Sequence, residues 1–252
     1  MHVNAKETQD QKIQRNPSHQ SCQKMPFHKE GDKLFTIEPL SYENFDETAR
    51  ILTKVFVERE VIVKILETTF DEFHVFVQAG KDQWIQQNLS WVVKNQEDQV
   101  VGLMINEDKN IEAMDSLPPK VDKIFEVFEK GHHLVDQSLI IQENNGVVGT
   151  QLHLLMLAVE DKYKGMNFGE KIMQYSIQNA IDKGYQEAFA ECSSSGSAYL
   201  LENKFGFTTA SKLSYKALLE ELNSSQKTID FATMMFRGKE PALTIQYLRL
   251  KK

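Results

Sequence analysis

The sequence has few cysteines and no long apolar run. Only two cysteines occur among its 252 residues, Cys22 in a polar segment and Cys192 beside a strand-like run, and this is neither a disulfide framework nor a zinc-ligand spacing. No apolar run approaches the ~20 residues that span a bilayer, and the N-terminus lacks the basic-then-apolar layout of a signal peptide. We therefore expect a soluble, cytoplasmic protein with reduced thiols, no metal and no membrane association.

The sequence also lacks an excess of positive charge. Its formal net charge is −7 at pH 7, which argues against broad nucleic-acid binding and is compatible with cationic substrates. Aliphatic residues are almost absent from residues 1–32, which therefore cannot bury enough apolar surface to offset the entropy lost on ordering. We predict a disordered tail over residues 1–32, then a single domain over 33–252, as a monomer or weak dimer without nucleic acid.

Apolar periodicity predicts an α/β (α+β) fold with a mixed central sheet flanked by helices. The pattern gives a strand from Leu34, one helix within residues 41–66, an antiparallel hairpin, a helix near residues 121–135 and a nearly continuous apolar strand, "QLHLLMLAV". A helix ending at Gly184, a strand, a short helix and a last strand near the C-terminus follow, whereas residues 84–89 fit no element. His153, within the apolar strand, is expected to be a hydrogen-bonded core histidine.

The stretch "EDKYKGMNFGEKIM" places two glycines and two lysines between that apolar strand and the next helix. The first turn of a helix leaves N–H groups unpaired and carries partial positive charge, which suits a phosphate or pyrophosphate. Gly165 and Gly169 would let the backbone approach a ligand without a Cβ, and Lys162 and Lys164 would add positive charge. The spacing fits neither the P-loop nor the dinucleotide fingerprint, and a plain turn is the alternative.

Together with "GYQEAFAECSSSGSAYLLENKFGF", this stretch resembles the acyl-CoA-binding core of the GNAT acyltransferase superfamily, with the patterns V-x-P-x-Y-R-G-x-G-I-G and A-x-x-L-Y-x-K-x-G-F. The resemblance implies a GNAT-like sheet and acetyl-CoA as co-substrate. Its pyrophosphate would lie on the glycine loop, and backbone N–H groups at the end of the apolar strand would hold the acyl arm. The implied CoA-binding residues are Leu157, Ala158, Val159, Lys164, Gly165, Met166, Asn167, Phe168, Gly169 and Glu170.

Three departures from the GNAT pattern are visible. Lys164 replaces an Arg or Gln and keeps a positive charge without the bidentate fork. Asn167 replaces the central glycine, and asparagine tolerates a positive φ better than most residues. Glu202 replaces a tyrosine that often protonates the CoA thiolate. A weakened, regulatory CoA-binding module is therefore an alternative to an enzyme.

A narrower resemblance is to the insect-type arylalkylamine N-acetyltransferases. "FVEREVI" is similar to their F-F-x-D-E-P-L segment, and "CSSSGSAYLLENKFGF" to C-T-S-x-Y-S-A-x-L-x-E-K-L-G-F. The resemblance implies that Glu60 is the general base, that Ser193 and Ser197 are the active-site serines, and that a primary amine attacks the thioester directly. A solvated charge on a helix is the alternative for Glu60, and helix capping is the alternative for the serines.

The implied acceptor is a small amine such as an arylalkylamine or a polyamine. Acetylation of a protein lysine is the alternative within enzymology. The sequence leaves the identity of the amine and the acyl-chain preference open.

Overall fold

One eight-stranded sheet organises the part of the chain that the structure describes. This computed structural model describes residues 25–30, 33–111, 117–141, 144, 146–221 and 242–250. The strands are β1 (Met25–Glu30), β2 (Lys33–Pro39), β3 (Trp91–Lys94), β4 (Val100–Asp108), β5 (Gln151–Val159), β6 (Glu187–Cys192), β7 (Thr208–Ser214) and β8 (Ala242–Arg249). Their order is β1-β2-β3-β4-β5-β6-β8-β7, and only β5 and β6 are parallel neighbours. The predicted mixed central sheet is confirmed.

Helices cover both faces of this sheet. They are α1 (Phe45–Arg59), α2 (Val61–Ile65), α3 (Phe70–Ala79), α4 (Lys81–Gln87), α5 (Pro119–His133), α6 (Phe168–Lys183), α7 (Ser195–Phe205) and α8 (Tyr215–Glu221). One apolar cluster packs six helices, α1, α2, α3, α4, α5 and α8, against one face of the sheet. A second cluster packs α6 and α7 against the opposite face. None of the helices in the described ranges is long and apolar enough to cross a membrane.

The structure differs from the sequence prediction at Glu60 and near the start of the chain, and it adds α4, which covers residues predicted to fit no element, and α8. The helix predicted within residues 41–66 is two helices, because Glu60 has an extended backbone (φ −70°, ψ 131°) and its side chain caps α2. The segment predicted as a disordered tail contains strand β1, whose backbone pairs with β2; an edge strand needs backbone partners rather than apolar side chains. Residues 1–24 lie outside the described residues.

Strands β5 and β6 separate soon after they begin. Only Gln151–His153 of β5 pair with β6, at Glu187–Phe189. Beyond Phe189, β6 pairs with β8 alone among the described strands. A β-bulge in β5 accompanies the separation, because Leu154 and Met156 face consecutive residues of β4 and Leu155 has no opposite residue. From Leu154 onward, β5 pairs only with β4 among the described strands. A wedge therefore opens between the C-terminal halves of β5 and β6.

Gly80 joins α3 to α4 and permits the close packing of Trp84. The indole ring is fully buried, and a Cβ on Gly80 would lie 2.5 Å from two of its carbons. We expect Gly80→Ala to lower the free energy of unfolding by about 1–3 kcal/mol, the usual cost of overpacking. Urea unfolding measures this, with Gly196→Ala as the control, because there the nearest atom is 3.8 Å away. Equal loss in both variants would contradict the packing argument.

Candidate active site

Glu60 places a carboxylate in the interior at the break between α1 and α2. Its Oε2 accepts a hydrogen bond from the backbone N–H of Val63 at 2.5 Å. Its Oε1 is buried and has no hydrogen-bond partner within the described part of the chain. Burial raises the pKa of Glu60, and the Ser193 side chain and the first N–H groups of α2 only partly oppose that rise. Glu60 is half-buried and caps α2, so its carboxylate is more shielded from water than a solvated charge on a helix surface.

A small apolar chamber adjoins this carboxylate, and we call it the inner chamber. Its volume is about 30 Å³, which is room for about one water molecule. Its lining comes from α1, α2, α3, α5 and β5: Phe56, Glu60, Val63, Phe73, Phe76, Val121, Ile124, Phe125, Phe128, Leu155 and Met156. Leu155 is the bulged residue of β5, so the inner chamber lies beside the strand that borders the wedge.

Ser193 and Tyr215 lie close to Glu60 in space. The fully buried hydroxyl of Tyr215 donates a hydrogen bond to the backbone carbonyl of Ser193 at 3.0 Å. Burial raises the pKa of Tyr215 well above its usual value, and the nearby charge of Glu60 raises it further. Tyr215 was not predicted as a site residue, because no sequence motif marks a tyrosine that follows a polar edge strand.

The other serines close a local hydrogen-bonded turn. The Ser194 hydroxyl accepts a hydrogen bond from the backbone N–H of Ser197 and so caps α7, and the Ser197 hydroxyl donates to the Ser194 carbonyl at 3.0 Å. Capping, the alternative for this serine run, therefore applies to Ser194. Burial raises the pKa of the adjacent Cys192 thiol to about 12, so this cysteine stays protonated.

The glycine loop leads into the N-terminus of α6. Gly165 has φ +85°, and Asn167 adopts the left-handed conformation with φ 58°. No described side chain caps α6, which leaves the N–H groups of its first turn available to an anion. Gly169 has a different role: a Cβ there would lie 3.3 Å from Cδ2 of Leu157, so this glycine lets α6 approach β5 closely.

Lys164 lies beside the loop as predicted and is exposed, in an ion pair with Asp161. Asp161 also pairs with Arg59, whose guanidinium donates a hydrogen bond to the Val159 carbonyl at 3.4 Å. The hydrogen bond from Lys164, together with Arg59, holds the pKa of Asp161 below its usual range. These contacts connect the end of β5 and the glycine loop to the residue that precedes Glu60.

The remaining predicted CoA-binding residues divide into backbone and side-chain positions. The wedge-facing edge of β5 includes Leu157, Ala158 and Val159. The Phe168 side chain is buried against Phe35, with ring centroids 4.7 Å apart, so only its backbone can face a ligand. The Met166 side chain also packs against the apolar cluster under α6. Glu170 pairs with Lys204 at 3.5 Å.

The structure places Glu202 outside this arrangement, and it shows no metal cluster in the described ranges. Glu202 accepts a hydrogen bond from the Thr209 hydroxyl at the surface. Among the residues whose positions are described, no group of three or more His, Cys, Asp and Glu side chains could hold a metal ion. At the wedge, an unpaired strand edge and the uncapped start of α6 lie near Lys164, a combination that suits an anionic ligand.

Comparisons with known proteins identify the fold. No family model and no curated protein matches the chain. Among solved structures, it is similar to arylalkylamine N-acetyltransferase 2 of Aedes aegypti, with a TM-score of 0.68 and 16% identity over 86% of this chain and 99% of the other. The chain is also similar to the C-terminal condensation domain of Ebony, bound to β-alanyl-dopamine. The TM-score is 0.68 and the identity 16%, over 85% of this chain and 98% of the other.

A third similar structure is a polyamine N-acetyltransferase of Drosophila melanogaster that forms N-acetylagmatine. Its TM-score is 0.59 and its identity 16%, over 86% of this chain and all (100%) of the other. The chain therefore has the GNAT fold.

The buried carboxylate of Glu60 predicts a pH-dependent stability. Because its pKa is raised in the folded state, the unfolded chain releases this proton at lower pH, and stability falls as pH rises above the ordinary glutamate range. Glu60→Gln removes that loss, so its Tm should exceed that of the parent protein at pH 8 by about 2–4 °C per kcal/mol recovered. The difference should vanish near pH 4. Thermal unfolding at several pH values measures it.

The matched control is Glu58→Gln, which removes the same charge from an exposed position two residues away. This variant should show no pH-dependent gain. A Glu60→Gln variant less stable than the parent at pH 8 would contradict the assignment of a raised pKa.

Proposed function

We propose that this chain transfers an acyl group, acetyl from acetyl-CoA, to the primary amine of a small molecule. The observation that carries the proposal is the carboxylate of Glu60, whose Oε1 is buried without a geometric hydrogen-bond partner among the described residues and which lines the inner chamber beside β5. The similarity of fold to N-acetyltransferases supports the same reaction class.

Glu60 would act as the general base. An ammonium group has no lone pair, so the amine must lose a proton before or during its attack on the acyl carbon. A carboxylate whose pKa is raised by burial holds that proton better near neutral pH than an exposed one does. The inner chamber has room for one water between Glu60 and the amine, so the proton can pass directly or through that water.

The acyl donor would lie along β5 and the start of α6. Acetyl-CoA supplies the activated acyl group as a thioester. The N–H groups of α6 and the Lys164 ammonium would hold its pyrophosphate. Backbone N–H groups of Leu157 to Val159 on the edge of β5 that faces away from β4 would hold the acyl arm and polarise the acyl carbonyl.

The bond changes then balance without a covalent enzyme intermediate. The amine nitrogen forms a bond to the acyl carbon, the carbon–sulfur bond breaks, one amine proton goes to Glu60, and the sulfur leaves as a thiolate that takes its proton from the protonated Glu60 or from solvent. Ser193 is the better placed of the two serines to relay that proton, because the Ser197 hydroxyl already donates to Ser194. Glu202 takes no part in this step.

A two-part experiment tests the proposed function. Acetyl-CoA should raise the Tm of the protein, and a panel of arylalkylamines, alkylamines and polyamines should release free CoA thiol. Stabilisation without thiol release from any small amine or lysine peptide would favour the regulatory CoA-binding module. Release with lysine peptides alone would favour the protein acetyltransferase. If acetyl-CoA did not raise the Tm of the protein, the proposed function would be contradicted, because the acyl donor would not bind.

Removing the base should lower turnover and leave acyl-CoA binding intact. We expect Glu60→Gln to reduce kcat by roughly 100- to 10,000-fold, the usual contribution of general-base catalysis. In the parent protein, kcat/KM should rise with pH through an acid limb above the ordinary glutamate pKa, because only the ionised carboxylate accepts a proton. Thiol release from pH 5 to 9 and calorimetric titration with CoA measure both effects. Equal pH–rate profiles for the variant and the parent would exclude Glu60 as the base.

Removing the charge of the loop lysine should weaken acetyl-CoA binding. We expect Lys164→Gln to raise the Kd for acetyl-CoA by about three- to tenfold, the value of one partly exposed charged contact. The control is Lys183→Gln at the opposite end of α6. Asn167→Gly should bind at least as tightly as the parent, because glycine adopts the left-handed conformation of Asn167 without strain. Isothermal titration measures all three, and equal loss in both lysine variants would contradict a phosphate contact.

A further inference from the structure

Tyr215 is a fully buried polar residue beside the candidate site, and the proposed reaction does not use it. It begins α8, and its ring packs in the apolar cluster that also contains Val61 and Ile62 of α2. A phenylalanine would fill the same apolar space, so packing accounts for the ring and leaves the hydroxyl to be explained. A buried hydroxyl costs stability unless it is hydrogen-bonded. The contacts of this hydroxyl therefore indicate its role.

The hydroxyl of Tyr215 holds the connection between β6 and α7. It donates a hydrogen bond to the backbone carbonyl of Ser193 at 3.0 Å. The pairing of β6 with β8 ends at Cys192 and Thr244, so this carbonyl lies one residue beyond the ladder. A backbone carbonyl that leaves a ladder needs another donor, and Tyr215 supplies one from 22 positions away. Tyr215 thereby fixes Ser193 where the chain leaves the sheet.

The Ser193 side chain connects this hydrogen bond to the candidate base. Burial raises the pKa of Glu60, and the largest opposing contribution comes from the Ser193 side chain, which therefore lies close to the carboxylate. Oε1 of Glu60 is buried and has no partner with hydrogen-bond geometry among the described residues. Hydrogen bonds between catalytic groups often tighten only when the substrate is bound. The nearby serine hydroxyl can then complete the surroundings of this carboxylate.

Three segments that are distant in the sequence meet at this contact. Glu60 lies at the break between α1 and α2, Ser193 follows β6, and Tyr215 begins α8. Only residues 151–153 of β5 pair with β6, so backbone pairing with β5 does not reach Ser193. The Tyr215 hydroxyl therefore takes part in setting the distance between Ser193 and Glu60.

Tyr215 does not suit the role of proton donor to the leaving thiolate. Burial raises its pKa well above the usual value, and the nearby charge of Glu60 raises it further. A thiol is a stronger acid than an ordinary phenol, and the raised pKa widens that difference. Transfer of the Tyr215 proton to a thiolate is therefore unfavourable, and this proton already lies in the hydrogen bond to the Ser193 carbonyl.

We propose that Tyr215 is a positioning residue for the acyl transfer: its hydroxyl holds Ser193 beside Glu60, where the serine hydroxyl passes the proton from the carboxylate to the leaving thiolate. The proton that Glu60 took from the amine moves to Oγ of Ser193 while the serine's own proton moves to sulfur, so both residues end the step as they began the reaction. This inference rests on the proposed function for the reaction and on the hydrogen bond for the contact. A purely structural tyrosine is the alternative.

Tyr215→Phe tests the role of the hydroxyl, because it keeps the ring. We expect kcat for thiol release to fall by roughly 10- to 100-fold, since misplacing a reacting group by about 1 Å has effects of this size. The Kd for acetyl-CoA should stay unchanged, because β5 and α6 hold the donor. Since Ser193 opposes the rise of the Glu60 pKa on burial, the acid limb of kcat/KM should also move to higher pH. A purely structural tyrosine would leave that limb in place.

The matched control is Tyr247→Phe, which removes a hydroxyl from another buried tyrosine of the same apolar cluster. Burial and the charges of Glu191 and Glu187 raise the pKa of Tyr247, so its surroundings differ from those of Tyr215. This variant should keep the kcat and the acid limb of the parent protein. Equal losses of kcat in both tyrosine variants would overturn the inference, and so would an unshifted acid limb in Tyr215→Phe.

A double-mutant cycle tests whether Tyr215 acts through Ser193. Ser193→Ala removes the serine hydroxyl and keeps the carbonyl to which Tyr215 donates. It should lower kcat and move the acid limb as Tyr215→Phe does, and the double variant should be no slower than Ser193→Ala alone. Losses that multiply in the double variant would overturn the inference. Parental turnover in Ser193→Ala would also overturn it, even if Tyr215→Phe did not fold.

A measurement without turnover separates this inference from the proposed function. The carboxyl carbon of Glu60, followed by NMR in protein labelled with ¹³C-glutamate, reports the pKa of this residue, which should rise in both Tyr215→Phe and Ser193→Ala. That rise with no thiol release from any amine would contradict the proposed function and uphold the positioning of Ser193 by Tyr215. Thiol release by the parent protein with an unchanged Glu60 pKa in both variants would support the function and overturn the inference.

Discussion

A buried ion pair at His153 holds the sheet together where its backbone pairing stops. Hydrogen bonding between β5 and β6 ends at His153 and Phe189, and there the imidazolium bridges Glu107 of β4 and Glu191 of β6. His132 of α5 contacts the other oxygen of Glu191 at 2.6 Å. The pair thus joins three strands and one helix, and an uncompensated charge at any one of them would cost about 3–5 kcal/mol. These side chains hold β5 and β6 together at the last paired residues, His153 and Phe189, which we call the apex of the wedge. The two strands can therefore separate beyond the apex.

The two openings of the site depend on that apex in different ways. Beyond it, the free edge of β5 and the uncapped start of α6 form a polar wedge suited to an acyl thioester and its phosphates. On the helix-bearing face, α3 and α5 stand off the same strands and enclose the inner chamber and a larger cavity that shares four lining residues with it. Glu60 lies where the openings meet. Because Asp161 pairs with both Arg59 and Lys164, the residue before Glu60 and the glycine loop also share one electrostatic contact.

Local patterns predicted most of the fold and only part of the site. The apolar run of β5, the periodic face of α6 and its stop at Gly184 follow from side-chain spacing, which the structure confirms. The break at Glu60 and strand β1 were missed, since a side chain that caps the next helix and an edge that pairs through its backbone leave no apolar periodicity. The partners of His153 and the position of Tyr215 were also beyond reach. They depend on contacts between residues 22 to 46 positions apart, which only the fold creates.

Two residues of the candidate site depart from what their local environment favours. Glu60 buries a carboxylate oxygen without a partner, and Asn167 holds a left-handed backbone that glycine would adopt more easily. Each costs stability, and at Glu60 the hydrogen bonds that cap α2 offset only part of that cost. Departures of this kind persist where a function requires them. A carboxylate that water cannot solvate is a stronger base, and a left-handed turn directs backbone N–H groups outward. In the proposed acyl transfer, these two positions would supply a proton acceptor and an anion site.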